Sequence, residues 1–135
     1  YNLKHKEVKK KMKYVDGFVL IVPKKNFSKY KKMAQEGAKM WKKHGALEYF
    51  ECIGDDIHPN MGPMKILSFP EMTKLKKGET VWFSFITYKS KAHRDAVNKK
   101  VMQQMEKDKD KHKDMKMPFD MKRMAYGGFK AVVEK

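Results

Sequence analysis

The sequence predicts an α+β domain in the order βαββαβ, with an antiparallel sheet and both helices on one side of it. Four segments are rich in β-branched and aromatic residues, and two segments between them carry apolar residues at helical spacing. Each helical segment also stands between two strand segments, which is the order that such a unit requires. With 135 residues, the chain is long enough for one hydrophobic core and too short for two.

The first strand and helix are predicted from residue 14 to residue 44. Residues 14–22 carry β-branched and aromatic side chains on both alternating faces, and Pro23 ends the run. Asn26 is expected to cap the following helix, and Gly45 is expected to end it. The helix has apolar or small residues at steps of three and four, at Phe27, Tyr30, Ala34, Gly37, Trp41 and His44.

The remaining elements follow in the same way. Strands are predicted at 47–53 and 80–88, and the second of these, reading TVWFSFITY, is the clearest strand in the chain. Ser90 is expected to cap a second helix that ends near Met105 and buries a stripe of Val97, Val101 and Met105. The last strand is predicted at 124–133.

The connection at 54–79 is too long for an ordinary hairpin loop. Prolines at 59, 63 and 70 restrict it, and the apolar stretch 66–69 indicates that part of the connection docks on the domain. The segment could serve as a lid over a pocket or as an arm in a dimer, and the residues favour neither.

Apolar side chains on both faces of the strands predict a homodimer. In the third strand Val81, Phe83 and Phe85 point one way, whereas Trp82 and Ile86 point the other. Helices cover only one face of a βαββαβ sheet, so a second copy is expected to cover the other.

Blocks of residues in the same order resemble the YbaA-like bacterial family of unknown function, over about 12–133. The blocks are YVDGFVL at 14–20, WKKHGALEY at 41–49, DD at 55–56, SFP at 68–70, KAHRDAVN at 91–98, MPFD at 117–120 and RMAYGGF at 123–129. The family is similar to the dimeric α/β-barrel superfamily, which implies a ferredoxin-like subunit forming a dimeric α/β barrel. That superfamily includes cofactor-independent monooxygenases, haem-degrading enzymes and ligand-binding proteins, but this branch implies no established activity.

The segment 1–11 is expected to be a basic extension outside the single domain at 12–135. Codons for Lys6-Glu7-Val8 could resemble a bacterial ribosome-binding site, which would make Met12 the biological start and 1–11 a translated leader. An ordinary basic tail is the equal alternative.

A formal net charge of +16 suggests phosphate-bearing partners or an acidic membrane surface, but the residues that carry the charge favour a solvated surface. Only Arg94 and Arg123 among the 32 basic residues are arginines, the residue type that recognises phosphates and bases in bidentate fashion. The aromatic segment 126–130 faintly resembles an RNA-recognition motif but falls on the wrong strand. A basic nucleic-acid-binding module therefore stays an alternative function, as does a non-catalytic structural or stress-related dimer.

A reducing compartment, the cytoplasm, is expected because Cys52 is the only cysteine. Cys52 falls in a strand and is predicted to be a buried structural thiol. The longest apolar run, 18–22, is far below the length of about 20 residues that a membrane span needs.

Seven polar residues are candidates for chemistry. His44 and Glu48 could exchange a proton across the Gly45 turn, and His93 is a further catalytic candidate. The candidates for binding a ligand are Arg94, Asp56, Asp120 and Arg123, although Asp120 and Arg123 could simply pair with each other. Asp55, Asp56 and His58 are more typical of a solvated turn than of a metal site, so neither a metal nor a cofactor is predicted.

The function predicted from these observations is the binding of a small organic molecule in a pocket between the sheet and the helices. Whether the molecule is also transformed stays open, and the chain is not assigned as an enzyme.

Overall fold

The computed structural model describes residues 12–135, in which four antiparallel strands form one sheet. The strands are β1 (Tyr14–Pro23), β2 (Glu48–Ile53), β3 (Glu79–Tyr88) and β4 (Ala125–Lys130). Their order across the sheet is β2-β3-β1-β4. The predicted βαββαβ order is confirmed, whereas the prediction for 1–11 lies outside the described residues.

Two long helices, α1 (Phe27–Lys43) and α3 (Lys91–Lys107), cover one face of the sheet. Two short helices, α2 (Phe69–Thr73) and α4 (Lys109–His112), lie in the connections. Turns of 3₁₀ helix precede α1 and β4. No helix in the described part of the chain has the length and apolar character needed to cross a membrane.

The core lies between the sheet and the two long helices, in two clusters. One cluster joins β1 and β3 to α1 and contains Leu20, Val22, Tyr30, Ala34 and Trp82. The other joins β3 to α3 and contains Ala46, Ile86, Tyr88, Val97 and Val101. Met40 and Trp41 of α1 also pack against the second cluster, and Trp41 donates a hydrogen bond to Asn98 of α3 at 3.1 Å, so the two helices are joined.

Two of the three predicted helix-end residues act as expected. The Ser90 hydroxyl accepts a hydrogen bond from the His93 amide at 3.1 Å, and Gly45 follows α1 with a φ of +115° that favours glycine. The prediction for Asn26 is wrong, because its side-chain amide donates to the Pro118 carbonyl at 3.2 Å and makes no cap. The 3₁₀ turn at Lys24–Asn26 leads directly into α1 instead.

The last strand is shorter than predicted. Within the described residues, the pairing of β4 with β1 ends where Lys130 lies opposite Tyr14, and one further bond joins the Ala131 amide to the Lys13 carbonyl at 3.0 Å. Val132 and Val133 follow this pairing and are each 76% exposed. Their β-branched side chains predicted a strand that has no pairing within residues 12–135.

The long connection carries the short helix α2, which has a capping box between Ser68 and Glu71. Thr73 at the end of α2 is buried, and α2 lies against β3. Part of the connection therefore docks as predicted, although Ile66, Leu67 and Phe69, the apolar residues that suggested it, are all exposed.

The sheet face opposite the helices, here called the open face, is apolar and largely uncovered. Phe50, Phe83 and Phe129 are 46%, 46% and 62% exposed. Cys52 is also exposed, so the prediction of a buried thiol is wrong for the single chain. Side chains along β2 alternate between the two faces of the sheet. Cys52 therefore lies on the open face with Phe50, whereas Tyr49 and Glu51 lie on the helix side.

Candidate functional site

An apolar cavity of about 540 Å³ lies between the helix side of the sheet, α1 and the segment from the end of α3 to β4. Its floor is formed by sheet residues, namely Phe18, Leu20, Tyr49, Glu51, Ser84 and Ile86. Its α1 wall consists of Tyr30, Met33, Ala34, Gly37, Met40 and Trp41. The cavity opens on the side of α1 that faces the end of α3 and α4, where Met105, Asp108 and Lys109 line it.

Methionines supply much of the remaining lining. Met105 lies near the end of α3, Met115 and Met117 follow α4, and Met124 lies just before β4. Methionine side chains are unbranched and polarizable, so they adapt to ligands of different shape. The volume and apolar lining are typical of a small-molecule site, which commonly measures roughly 300–1,000 Å³.

Glu51 is the one acidic residue on the cavity floor. Its Oε1 accepts hydrogen bonds from the Tyr30 hydroxyl at 2.8 Å and from the Ser84 hydroxyl. Its Oε2 accepts a hydrogen bond from the Tyr49 hydroxyl at 2.8 Å. Glu51 makes no ion pair with any residue in 12–135. Three neutral hydroxyl groups therefore hold this carboxylate in place without neutralising it.

Burial and the Glu51 carboxylate keep the two tyrosines protonated. Burial is the largest cause that raises the pKa of Tyr30, and the charge of Glu51 raises it further. The pKa of Tyr49 is raised for the same two reasons. Both hydroxyl groups therefore stay hydrogen-bond donors throughout the neutral pH range.

The rim of the cavity carries charges of both signs. Glu36 on α1 and Asp108 at the end of α3 lie there with Lys109 and His112 of α4. Lys109 pairs with Glu106 at 3.0 Å, and this pair is exposed to solvent. Such an exposed pair contributes little binding energy, so Glu51 is the principal charge inside the cavity.

None of the seven sequence-predicted site residues lines this cavity. His44 Nε2 contacts Gln104 Oε1 at 2.6 Å, whereas Glu48 accepts a hydrogen bond from Thr87 at 3.1 Å on the open face. The structure therefore does not bring His44 and Glu48 together. Asp56 is exposed in the turn that follows β2.

Arg94 is the centre of a separate polar cluster at the start of α3. Its guanidinium contacts Asp16 at 2.6 Å, Asp95 at 2.8 Å and the Tyr126 hydroxyl at 2.9 Å. The side chain of His93 points elsewhere, because its Nδ1 accepts a hydrogen bond from the Lys89 amide at 2.9 Å. Arg94 thus links β1, β4 and α3.

Arg123 and Asp120 do pair with each other, at 2.7 Å. Arg123 also makes a bidentate contact with Glu79, at 2.9 and 2.5 Å, and donates to the Lys74 carbonyl at 3.1 Å. These bonds join the chain before β4 to the connection before β3. Within residues 12–135 no group of three or more His, Cys, Asp or Glu side chains is arranged to hold a metal ion.

Comparison with known proteins places these residues in a family. The sequence profile of the family described as "Protein of unknown function (DUF1428)" matches residues 13–121. The chain belongs to this family. Curated relatives called "Uncharacterized protein YbaA", from Escherichia coli and Shigella flexneri, are 41% identical over 123 residues. The match covers 91% of this chain and 99% of each relative, and it confirms the resemblance found in the sequence.

The DUF1428 fold is also similar to a solved structure. The crystal structure of a dimeric ferredoxin-like protein from an uncultured marine organism matches with a TM-score of 0.60. The identity is 11%, and the match covers 92% of this chain and 99% of that one. This similarity confirms the ferredoxin-like fold of the subunit.

Glu51 could not be recognised as a site residue from the strand pattern around it. In EYFECI the charged and apolar residues look like the pattern of a half-exposed edge strand. A more useful signal was available, since Tyr49 and Glu51 are two residues apart and therefore share a face. Ser84 stands opposite Glu51 in β3, so three polar side chains fall together on a face that otherwise buries apolar groups.

Proposed function

We propose that the protein binds a small, largely apolar organic molecule in the cavity between the sheet and α1. The observation that carries this proposal is Glu51, a carboxylate without a cationic partner in the described chain, held by three hydroxyl groups on an apolar floor. Placing a charge in apolar surroundings costs stability unless it is compensated. A costly group aimed into a cavity of ligand size is typical of a binding or catalytic site.

Native mass spectrometry of the gently purified protein tests the proposal directly. A reproducible extra mass on the chain, lost when the cavity is filled, is the expected result. Ala34 is buried in the α1 wall, so Ala34→Leu places extra carbon atoms in the cavity. Ala96→Leu makes the same change on the exposed side of α3 and should leave the extra mass unchanged.

A second cavity variant protects the test against misfolding. Met105 lies at the rim and is 40% exposed, so Met105→Trp narrows the cavity with little disturbance of the core. Circular dichroism should show native secondary structure in each variant. If the extra mass persists equally in folded Ala34→Leu and Met105→Trp, the ligand lies elsewhere and the proposal is wrong.

We also propose that two copies pack through their open faces. Phe83 and Phe50 are nearly half exposed, and the rings of Phe50 and Phe85 stack at 4.8 Å to form a continuous aromatic surface. The exposed Leu67 and Phe69 extend the apolar surface of the chain into the long connection. Surfaces of this kind usually mark an interface in a soluble protein.

Sedimentation velocity tests this association. Phe83→Glu places a charge in the middle of the open face and should convert dimers to folded monomers. Val132→Glu makes the same change at a residue that is 76% exposed and outside the sheet, and it should not affect association. A wild-type chain that sediments as a monomer at micromolar concentration would contradict the proposal.

The alternative of a basic nucleic-acid-binding module is supported only by the net charge of +16. Binding through lysines spread over the chain would be lost in moderate salt and would show no sequence preference.

We propose that the protein acts in the cytoplasm, which its lone cysteine supports. A ligand role for Arg94 stays a prediction, although Asp16 and Asp95 already engage its guanidinium.

A further inference from the structure

The hydrogen bonds of Glu51 leave one position for a ligand. A carboxylate has about four acceptor positions, two on each oxygen. Tyr30 and Ser84 occupy both positions on Oε1, whereas Tyr49 occupies one on Oε2. Among the described residues no donor fills the second position on Oε2. The ligand is therefore expected to present a hydrogen-bond donor to this atom.

The negative charge of Glu51 restricts the kind of hydrogen-bond donor that the ligand can carry. Tyr30, Tyr49 and Ser84 donate hydrogen bonds but carry no positive charge, and burial keeps both tyrosines neutral by raising the pKa of each. A neutral alcohol would complete the hydrogen bonds and leave the charge uncompensated. An anionic ligand would be repelled by Glu51. Of these three kinds of ligand, only a protonated amine supplies both a donor and a compensating charge, and a charge-assisted hydrogen bond is the stronger kind.

The aromatic residues of the site also favour a cation. The rings of Trp41 and Tyr49 lie 6.3 Å apart at an angle of 44°, and both line the cavity. Tyr30 adds a third ring on the α1 side. Aromatic faces attract ammonium groups, most strongly where water is excluded. The same rings and the surrounding methionines would bury an apolar body attached to the amine.

The site is also preorganised, because the hydrogen bonds that hold Glu51 are formed within the protein. Three donors from three different elements fix Glu51, because Tyr30 lies on α1, Tyr49 on β2 and Ser84 on β3. A carboxylate fixed in this way loses little freedom on binding, which raises the affinity for a matching group.

We propose that the ligand is a protonated amine on an apolar body, with an N–H of its cationic group donating to Glu51 Oε2. This inference rests on the proposed function and deepens it. The strongly positive chain as a whole repels cations, so recognition must come from the cavity itself. Salt should therefore screen the long-range repulsion more than it weakens the short pair inside the cavity.

Three probes with the same naphthalene body test the inference by isothermal titration calorimetry. They are 2-naphthylmethylamine, its neutral isostere 2-naphthylmethanol and the anion 2-naphthoate. For the unaltered protein we expect the amine to bind about ten-fold more tightly than the alcohol, with the anion weakest. Glu51→Gln should remove the preference for the amine while keeping the alcohol. Glu48→Gln, the same change in β2 on the opposite face of the sheet and outside the cavity, should keep the preference.

The outcomes separate the two proposals. If amine and alcohol bind the unaltered protein equally well, the amine inference is wrong and the proposed function stands. The amine inference is also wrong, with the proposed function intact, if folded Glu51→Gln keeps the preference. The comparison of amine with alcohol in the unaltered protein needs no variant, so it decides the inference even if Glu51→Gln fails to fold. If none of the three probes binds, the proposed function and the inference are both overturned.

Discussion

Replacing Arg94 with methionine should destabilise the fold strongly, because it leaves Asp16 charged and buried. The Asp16 side chain is 2% exposed and the Arg94 side chain 13% exposed, and their closest atoms are 2.6 Å apart. Removing one partner of a buried ion pair usually costs about 3–5 kcal/mol. We expect a loss near the lower end, about 3 kcal/mol, because the Tyr126 hydroxyl still donates to Asp16.

Urea denaturation followed by circular dichroism measures this loss, with all variants at the same protein concentration because association also affects stability. The double variant Asp16→Asn with Arg94→Met removes the charge left behind and should recover about 2 kcal/mol. Arg123→Met, at the only other arginine, removes a more exposed cluster and should cost less. A loss below about 1 kcal/mol for Arg94→Met, or no recovery in the double variant, would refute the reasoning.

Three further predictions concern other parts of the chain. Ser90→Ala should lower the free energy of unfolding by about 1 kcal/mol through loss of the α3 cap, whereas Ser28→Ala, within α1, should not; urea denaturation distinguishes them. The hydrogen bonds from Arg123 lower the pKa of Glu79, so their contribution to stability is present above the ordinary carboxyl pKa and is lost as the pH falls through the lowered value. The urea midpoint of Arg123→Gln should therefore fall less steeply in acid than that of the wild type, and parallel curves would contradict this. If two copies pack through their open faces, Cys52 should react slowly with iodoacetamide at protein concentrations where the wild type is dimeric and faster after dilution to monomers, as mass spectrometry would show.

The fold could be predicted from local patterns, whereas the wrong predictions at the ends of elements have causes in distant parts of the chain. Alternation in β3 separates Trp82 and Ile86 from Phe83, and the structure buries the first two and exposes the third. The end of β4 could not be predicted from its own sequence, because it depends on where β1 begins. Asn26 failed as a cap for a similar reason, since its partner Pro118 lies 92 positions away in the chain.

The candidate site escaped prediction because the residues that form it come from three elements. Histidine, arginine and paired acids attract attention in a sequence, yet the structure gives Arg94 and Arg123 protein partners that already satisfy their charges. Glu51 differs from them in having donors without a counter-charge in the described chain. A charged group that has hydrogen-bond partners but no oppositely charged partner is better evidence for a ligand site than a charged group that has both. This distinction depends on where side chains from distant segments lie relative to one another. Residue spacing within one segment does not give that information.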